Sequence, residues 1–421
     1  MQTPVPEYLA HVIDQCENNQ TGKLADYIPE LAHANPDQVA LAMSTVDGQI
    51  YAVGDEDIEF TIQSMSKPFT YAYVLQQLGL DEVLDKVGVE PSGEAFNEIS
   101  LGHDKRPKNP MINSGAITTH SLIPIKDQLE SAEIIRRFMS ELAGRELCFD
   151  EAVYASEIKT AYRNLSIGYM LRTVGILETD PVDIVNGYIR QCSILVTVKD
   201  LVKMGSILAN GGIDATTGKR LLNRDVVRQV LSVMMSCGMY DAAGDWLTTV
   251  GIPAKSGVAG GILGVLPGQV SIAAFSPRLD EHGNSVRGIE MMERLSRDMG
   301  LHLMEGTPSA QTIVQSHYRT GKNASTSIYV LRGVLKFTEA EMLLRIFQGE
   351  AVDESTIVID LTQISLIHDV GKRMFLEGVD RLIDDGHSVL LVDPEQRLEQ
   401  ARTHKDRVLH VYQNMDELLE K

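Results

Sequence analysis

Phe60-Thr61-Ile62-Gln63-Ser64-Met65-Ser66-Lys67-Pro68-Phe69 is an apolar, strand-like run that ends on a serine, where a helix begins. Ser64 and Lys67 stand in an S-x-x-K spacing. Residues three apart on a helix lie one above the other, so the hydroxyl and the amine share a face. A serine hydroxyl is inert at neutral pH until a base takes its proton, and an amine one turn away can do this if it is itself uncharged. Bringing a lysine from a pKa of about 10.4 towards 7 or 8 takes roughly 3 to 5 kcal/mol, to be supplied by desolvation and the positive end of the helix dipole. Pro68 suits a first helical turn, and Phe69, Tyr71, Tyr73, Val74 and Leu75 predict a deeply packed helix behind it. The spacing alone is weak: Ser156-Glu157-Ile158-Lys159 repeats it among charged residues, with no strand leading in.

The flanking chain reads as two regions. With 421 residues it can hold two domains, since single cores stop growing at about 250 to 300 residues. Val39 to Ser44 and Gln49 to Val53, around Asp47-Gly48, predict a β-hairpin ahead of the serine. Helices are expected over residues 7–19, in a short piece opened by Tyr27-Ile28-Pro29-Glu30-Leu31, and in several runs between 119 and 235, with Gly144 stopping one of them. One such run, 157–175, puts Glu157 and Asn164 seven apart on one helical face. Strands return at Ala254-Lys255-Ser256-Gly257, Gly261 to Leu266 and Val270 to Phe275. The economical fold is α+β: an antiparallel sheet made from the two chain ends, a helical insertion, and the Ser64 helix between the layers. Residues 306–325 read as a polar linker. Beyond them, strands near Ile328, Ile357, Val389 and Val408 alternate with helices, one opened by a capping box at Thr338-Glu339-Ala340-Glu341, to give a small α/β domain over 326–421.

Charge and cysteine content narrow the function. A formal net charge of -20 opposes nucleic acid and anionic membrane surfaces as partners. Four cysteines without a C-x-x-C pair, and 11 histidines without ligand spacing, point to neither a disulfide framework nor a metal site. The start lacks a basic and then apolar leader, and no run approaches a membrane span, so a cytoplasmic protein is expected. Lys255-Ser256-Gly257 is the second chemical landmark. In serine hydrolases of the penicillin-recognising group a K-T-G or K-S-G strand lies beside the S-x-x-K nucleophile. Gly257, Gly260 and Gly261 either leave room for a substrate against that strand edge or serve only a tight hairpin.

The blocks Tyr27-Ile28-Pro29-Glu30-Leu31, Gln63 to Pro68, Glu90-Pro91-Ser92-Gly93, Asn109-Pro110-Met111-Ile112-Asn113, Ser236-Cys237-Gly238-Met239-Tyr240-Asp241 and Pro253 to Gly261 occur in one order. Together they resemble the serine-dependent glutaminase family, over roughly residues 1–305. The resemblance implies a β-lactamase/transpeptidase-like fold and hydrolysis of L-glutamine to glutamate and ammonia without cofactor or metal. It implies Ser64 as nucleophile, Lys67 as base and Tyr240 as a proton relay. Tyr27, Ser64, Asn113, Glu157, Asn164, Tyr188, Tyr240 and Val258 would bind glutamine, Val258 through its backbone, in a homodimer or homotetramer. Two other readings stay open: another serine amidohydrolase of the same fold, and a glutamine-sensing binding protein. Residues 326–421 resemble a STAS domain on the segment Ile357 to Ile364 and Val370-Gly371, which implies a protein or nucleotide partner. Val370 stands where regulatory members carry a phosphorylatable serine.

Overall fold

The computed structural model describes residues 3–92, 101–125, 129–305, 313–321, 326–350, 355–398, 402–403 and 405–419. Gly93 and part of the 306–325 segment lie outside them. The chain divides into two compact units, Leu9–Arg294, and Met1–Tyr8 with Leu295–Lys421.

Helix α1 (Val5–Cys16) is followed by the hairpin β1 (Ala40–Thr45) and β2 (Ile50–Gly54), with Gly48 at φ 90° in its turn. The expected short helix near Tyr27 is a single 3-10 turn, Leu31–His33. A two-residue strand, β3 (Phe60–Thr61), leads to the serine. Helix α2 (Ser66–Leu78) starts two residues later than Ser64, which sits instead on a 3-10 turn, Gln63–Met65. Gln63 at φ 49° makes the corner. A left-handed residue cannot extend either a strand or a right-handed helix, so the strand stops short of the serine and the turn intervenes.

The helical insertion follows as α3 (Leu80–Leu84), α4 (Asn113–Ser121), α5 (Ser131–Ala143), α6 (Glu151–Lys159), α7 (Tyr162–Thr173) and α8 (Pro181–Cys192). Gly144 at φ 72° ends α5 as the sequence implies. The run 157–175 is not one helix. Its chain breaks at Thr160 and Ala161, where Thr160 has φ -111° and its N–H turns back to the carbonyl groups of Glu157 and Ile158. Glu157 and Asn164 therefore sit on two helices, not on one face. Asp150 caps α6 by accepting from the N–H groups of Ala152 and Val153.

After β4 (Leu195–Val196), the helices α9 (Val198–Ala209), α10 (Arg224–Cys237) and α11 (Ala243–Thr249) lead to β5 (Ala254–Gly257), β6 (Gly261–Leu266), β7 (Val270–Phe275) and α12 (Val286–Met299). The five-stranded sheet runs in the order β2-β1-β7-β6-β5, antiparallel throughout, and joins the two ends of the unit around the helices. Helix α9, not α2, lies on this sheet: Gly205 comes so close to Ser271 that a Cβ there would sit 2.0 Å from its Oγ. Helix α2 packs chiefly against α10, α4 and α5, so the serine turn is embedded among helices on one side and meets β5 on the other.

In the other unit, β8 (Val314–Thr320) occupies part of the segment expected as linker, pairing antiparallel with β9 (Thr326–Leu335). Its exposed polar side chains hid it: six of its seven residues face solvent. Helix α13 (Phe337–Gln348), strand β10 (Thr356–Ile367), helix α14 (Asp369–Asp384), strands β11 (Ser388–Val392) and β12 (His410–Tyr412) and helix α15 (Met415–Leu419) complete it. The sheet order is β12-β11-β10-β9-β8, with β9 to β12 parallel. Helix α13 is opened by Glu339 accepting from the Lys336 N–H at 3.2 Å, two residues earlier than a box on Thr338 would require. Among the described residues no helix is long and apolar enough to cross a membrane.

Gly115 of α4 lies against the Asn109 carbonyl, where a Cβ would meet oxygen at 1.8 Å. Gly115→Ala should lower the unfolding free energy by about 1 to 3 kcal/mol. Gly244→Ala, with nothing within 4 Å of the added carbon, should stabilise α11 by up to about 1 kcal/mol. Denaturant titration of both variants checks the contrast.

Candidate active site

The Gln63–Met65 turn forms the floor of a cavity of about 330 Å³, and the strand β5 lies against it. A Cβ on Gly257 would meet the Ile62 carbonyl at 3.0 Å, and one on Gly261 would strike the Met65 side chain at 2.3 Å. Gly257 thus lets β5 lie against the backbone of the turn, and Gly261 leaves room for the Met65 side chain.

Tyr27, Ser64, Asn113, Glu157, Asn164, Tyr188 and Val258 all line this cavity. Lys67 and Tyr240 adjoin it through their bonds to lining residues. Lys67 is 1% exposed. Its Nζ donates to the Met111 carbonyl at 3.0 Å and to Asn113 Oδ1 at 2.8 Å. The acceptor groups are themselves fixed: Asn109 Oδ1 accepts from the N–H groups of Met111 and Ile112, and Asn113 Nδ2 donates to Asn164 Oδ1 at 3.1 Å. Burial lowers the amine to about 7, against the opposing pull of Cys192 and Glu157. An uncharged amine has two N–H groups and one lone pair; with both N–H groups engaged, the lone pair is what remains to face a neighbouring hydroxyl.

Tyr240 adopts φ 57° on a 3-10 turn before α11, which brings its phenol over β5. The phenol is hydrogen-bonded with Ser64 and donates to the Ser256 carbonyl at 3.5 Å; burial raises it to about 12, so it stays protonated. Lys255, fully buried, places Nζ 3.7 Å from the centre of the Tyr240 ring and donates to the Ser256 carbonyl at 2.9 Å. Burial and the neighbouring Lys67 push this second amine well below its ordinary value. The ring thus faces a buried amine whose charge is disfavoured.

Glu157 supplies the opposite sign. Burial raises its carboxyl to about 7, with a hydrogen bond from Gln63 and the charge of Lys67 opposing the rise. Its Oε2 is buried and has no hydrogen-bond partner. A carboxylate oxygen held dry and unsatisfied is a seat for a cationic group. Tyr27 stands at the rim, half exposed, with its hydroxyl end buried and raised by that burial and by Tyr240 and Glu157. Tyr188 reaches Asn113 Oδ1 at 3.4 Å.

The lining also includes Ile28, Gln63, Thr160, Ala161, Arg163 and Cys192, which sequence reasoning did not single out. Gln63 adjoins the serine. Cys192 lies four residues after Tyr188 on α8, hence on the same face, a spacing that could have found it. Among the described residues, no group of three or more His, Cys, Asp or Glu side chains is placed to hold a metal ion.

A family model described as Glutaminase matches residues 22–304. The glutaminase of Corynebacterium glutamicum is 49% identical over 397 residues, covering 94% of this chain and 95% of that protein. The chain belongs to the glutaminase family. A second glutaminase, from Corynebacterium efficiens, is 47% identical over 402 residues, 94% of this chain and 93% of its own. Among solved structures, Mglu superposes with a TM-score of 0.72 at 48% identity, covering 94% of this chain and all of that one. The probable glutaminase ybaS gives 0.68 at 40% identity over 71% of this chain and 99% of its own.

The neutral Lys67 makes unfolding proton-linked. Its folded pKa is depressed, so between about pH 7 and the ordinary value of 10.5 the unfolded chain binds more protons than the folded one. The lysine thus makes the fold more stable as pH rises through that window. From pH 7.5 to 9 the unfolding free energy should rise by ~2 kcal/mol more in the parent protein than in Lys67→Met. Denaturant titrations at the two pH values measure the difference; an equal response would mean that Lys67 is charged in the fold.

Proposed function

We propose that this member of the glutaminase family hydrolyses L-glutamine to L-glutamate and ammonia through a glutamyl ester on Ser64. The observation that carries the reading is the buried Lys67 amine, uncharged above about pH 7 and with both N–H groups engaged, one turn from a cavity-lining serine. Lys67 takes the Ser64 proton as Oγ attacks the side-chain amide carbon. The N–H groups of Ser64 and Val258 hold the oxyanion, each such donor being typically worth about a hundred- to a thousandfold in rate. The amide C–N bond then breaks, and the proton passes from Lys67 to the departing nitrogen, with the Tyr240 phenol as relay. Water attacks the ester, gives its proton to the same base and releases glutamate with Ser64 restored.

Recognition follows the charges of an amino acid. Glu157 takes the substrate ammonium on its unpartnered Oε2, and the amide groups of Asn113 and Asn164 with the phenols of Tyr27 and Tyr188 take the remaining polar atoms. The finer fold description belongs to the same reading. The first unit is of β-lactamase/transpeptidase type, supported by its antiparallel sheet and the apposition of the serine turn to β5. The second is STAS-like from about residue 326, supported by parallel strands and by β10 leading into α14, with Val370 making a phosphorylation switch there inapplicable. A homodimer or homotetramer is the expected assembly, measurable as mass in solution.

Ser64→Ala should abolish ammonia release from glutamine, and activity near the parental rate would remove Ser64 as nucleophile. Lys67 must be uncharged and Glu157 ionised, and both titrate at about 7. Activity at limiting glutamine should therefore fall below pH 7 by up to about a hundredfold per unit, tenfold for each group. In Glu157→Gln the KM should rise strongly and the fall should flatten to one proton. An unchanged slope and KM would take Glu157 out of the site.

A further inference from the structure

Four helices meet at a chain of buried polar side chains set behind the cavity. Ser131 opens α5, His120 lies in the last turn of α4, Gln191 near the end of α8, and Ser66 at the start of α2. His120 Nε2 is 2.7 Å from Ser131 Oγ, and Nδ1 is 2.8 Å from Gln191 Oε1. Gln191 Nε2 donates to Ser66 Oγ at 2.9 Å. Gln191, oriented by that donation, offers its oxygen to His120, so the imidazole carries its proton on Nδ1 and accepts from Ser131 on Nε2. Burial pushes His120 down to about 4 and keeps it uncharged at neutral pH. Gly187 makes the room: a Cβ there would lie 2.5 Å from His120 Nε2 and 2.9 Å from Ser131 Oγ.

The chain continues toward the reacting groups. The hydroxyls of Ser66 and Tyr188 both lie beside the Cys192 thiol. Tyr188 donates to Asn113 Oδ1, the atom that also accepts from Lys67. Neither His120 nor Gln191 lines the cavity. Buried polar groups satisfied in this way fix one arrangement of the helices that bear them, where apolar contacts would allow sliding. Ser66 lies in the backbone between Ser64 and Lys67, so what fixes Ser66 fixes their mutual register.

We infer that His120 and Gln191 are positioning residues for the reaction: acting through Ser66 and Cys192, they hold the first turn of α2 so that Ser64 and Lys67 stay opposed and the amine stays dry. The inference rests on the reading of Ser64 as nucleophile and Lys67 as base. The ionisable groups around Lys67 are Glu157 of α6, Tyr188 and Cys192 of α8, Tyr240 of the turn before α11, and Lys255 of β5. Substitution at 120 or 191 changes the charge of none of them, so a moved acid limb reports the hydration of Lys67.

The test uses the full chain with His120→Leu, Gln191→Leu and His120→Asn, assayed with glutamine across pH at a temperature where unfolding curves show each variant folded. Both leucine variants should keep KM within about twofold, lose roughly ten- to a hundredfold in kcat, and shift the acid limb of kcat/KM upward. His120→Asn, which can still bond Gln191, should recover most of kcat. Folded leucine variants with parental kcat and acid limb would overturn the inference, as would losses that asparagine does not relieve. Should a leucine variant fail to fold, Ser66→Ala removes only the hydroxyl at the end of the chain; it should show the same loss, and parental behaviour in it would overturn the inference equally. Ser64→Ala, assayed beside them, separates the two ideas: activity near the parental rate there refutes the nucleophile, whatever the His120 variants do.

Discussion

The amine of Lys67 is kept where water does not reach it and where two neutral acceptors, the Met111 carbonyl and the Asn113 side chain, meet it. Much of the first unit can be traced from that constraint. The Met111 carbonyl is aimed because Asn109 ties the loop before α4 to itself and to the Glu90 carbonyl. That loop can lie so near α4 because residue 115 has no side chain. On the opposite side, β5 closes over the serine turn because residue 257 is a glycine, and Gly261 of β6 leaves room for the Met65 side chain. A dry amine thus depends on close backbone approaches at Gly115 and Gly257, and on neutral rather than ionised acceptors, since a paired carboxylate would have restored its charge.

Glu157 keeps this arrangement from becoming an ordinary ion pair. It raises Lys67 and is lowered by it, yet burial dominates for both, and each ends near neutrality. Neither charge is fully compensated by the other, which leaves a carboxylate oxygen unsatisfied for an incoming ammonium and an amine free to act as a base. Tyr240, raised to about 12, stays neutral, and burial disfavours the charge of Lys255, so both side chains serve as hydrogen-bond donors to the Ser256 carbonyl.

What could be read in the sequence is what chemistry placed locally. Ser64 and Lys67 lie within one turn, and Lys255 announces itself beside Ser256 and Gly257, so the core of the site needed no tertiary information. The hairpin around Asp47-Gly48 and the three strands at 254–257, 261–266 and 270–275 stand where the sequence places them. Tyr27, Glu157 and Tyr188 carry no local pattern, and only the resemblance pointed to them. The break at Thr160 escaped because the apolar period runs on across it. His120 and Gln191 escaped because their partners lie on other elements, 71 residues away for His120 and 125 for Gln191. The strand at Val314–Thr320 escaped because an exposed edge has no buried face to impose alternation.

The state of Lys67 is the claim on which the account turns, and its side-chain nitrogen can be followed directly by heteronuclear NMR. In Ser64→Ala protein, free of ligand, the Lys67 ζ-nitrogen should lose its proton with a midpoint near pH 7, as burial requires. A midpoint in the ordinary lysine range, near 10.5, would mean a charged amine at neutral pH and would contradict the mechanism at its base.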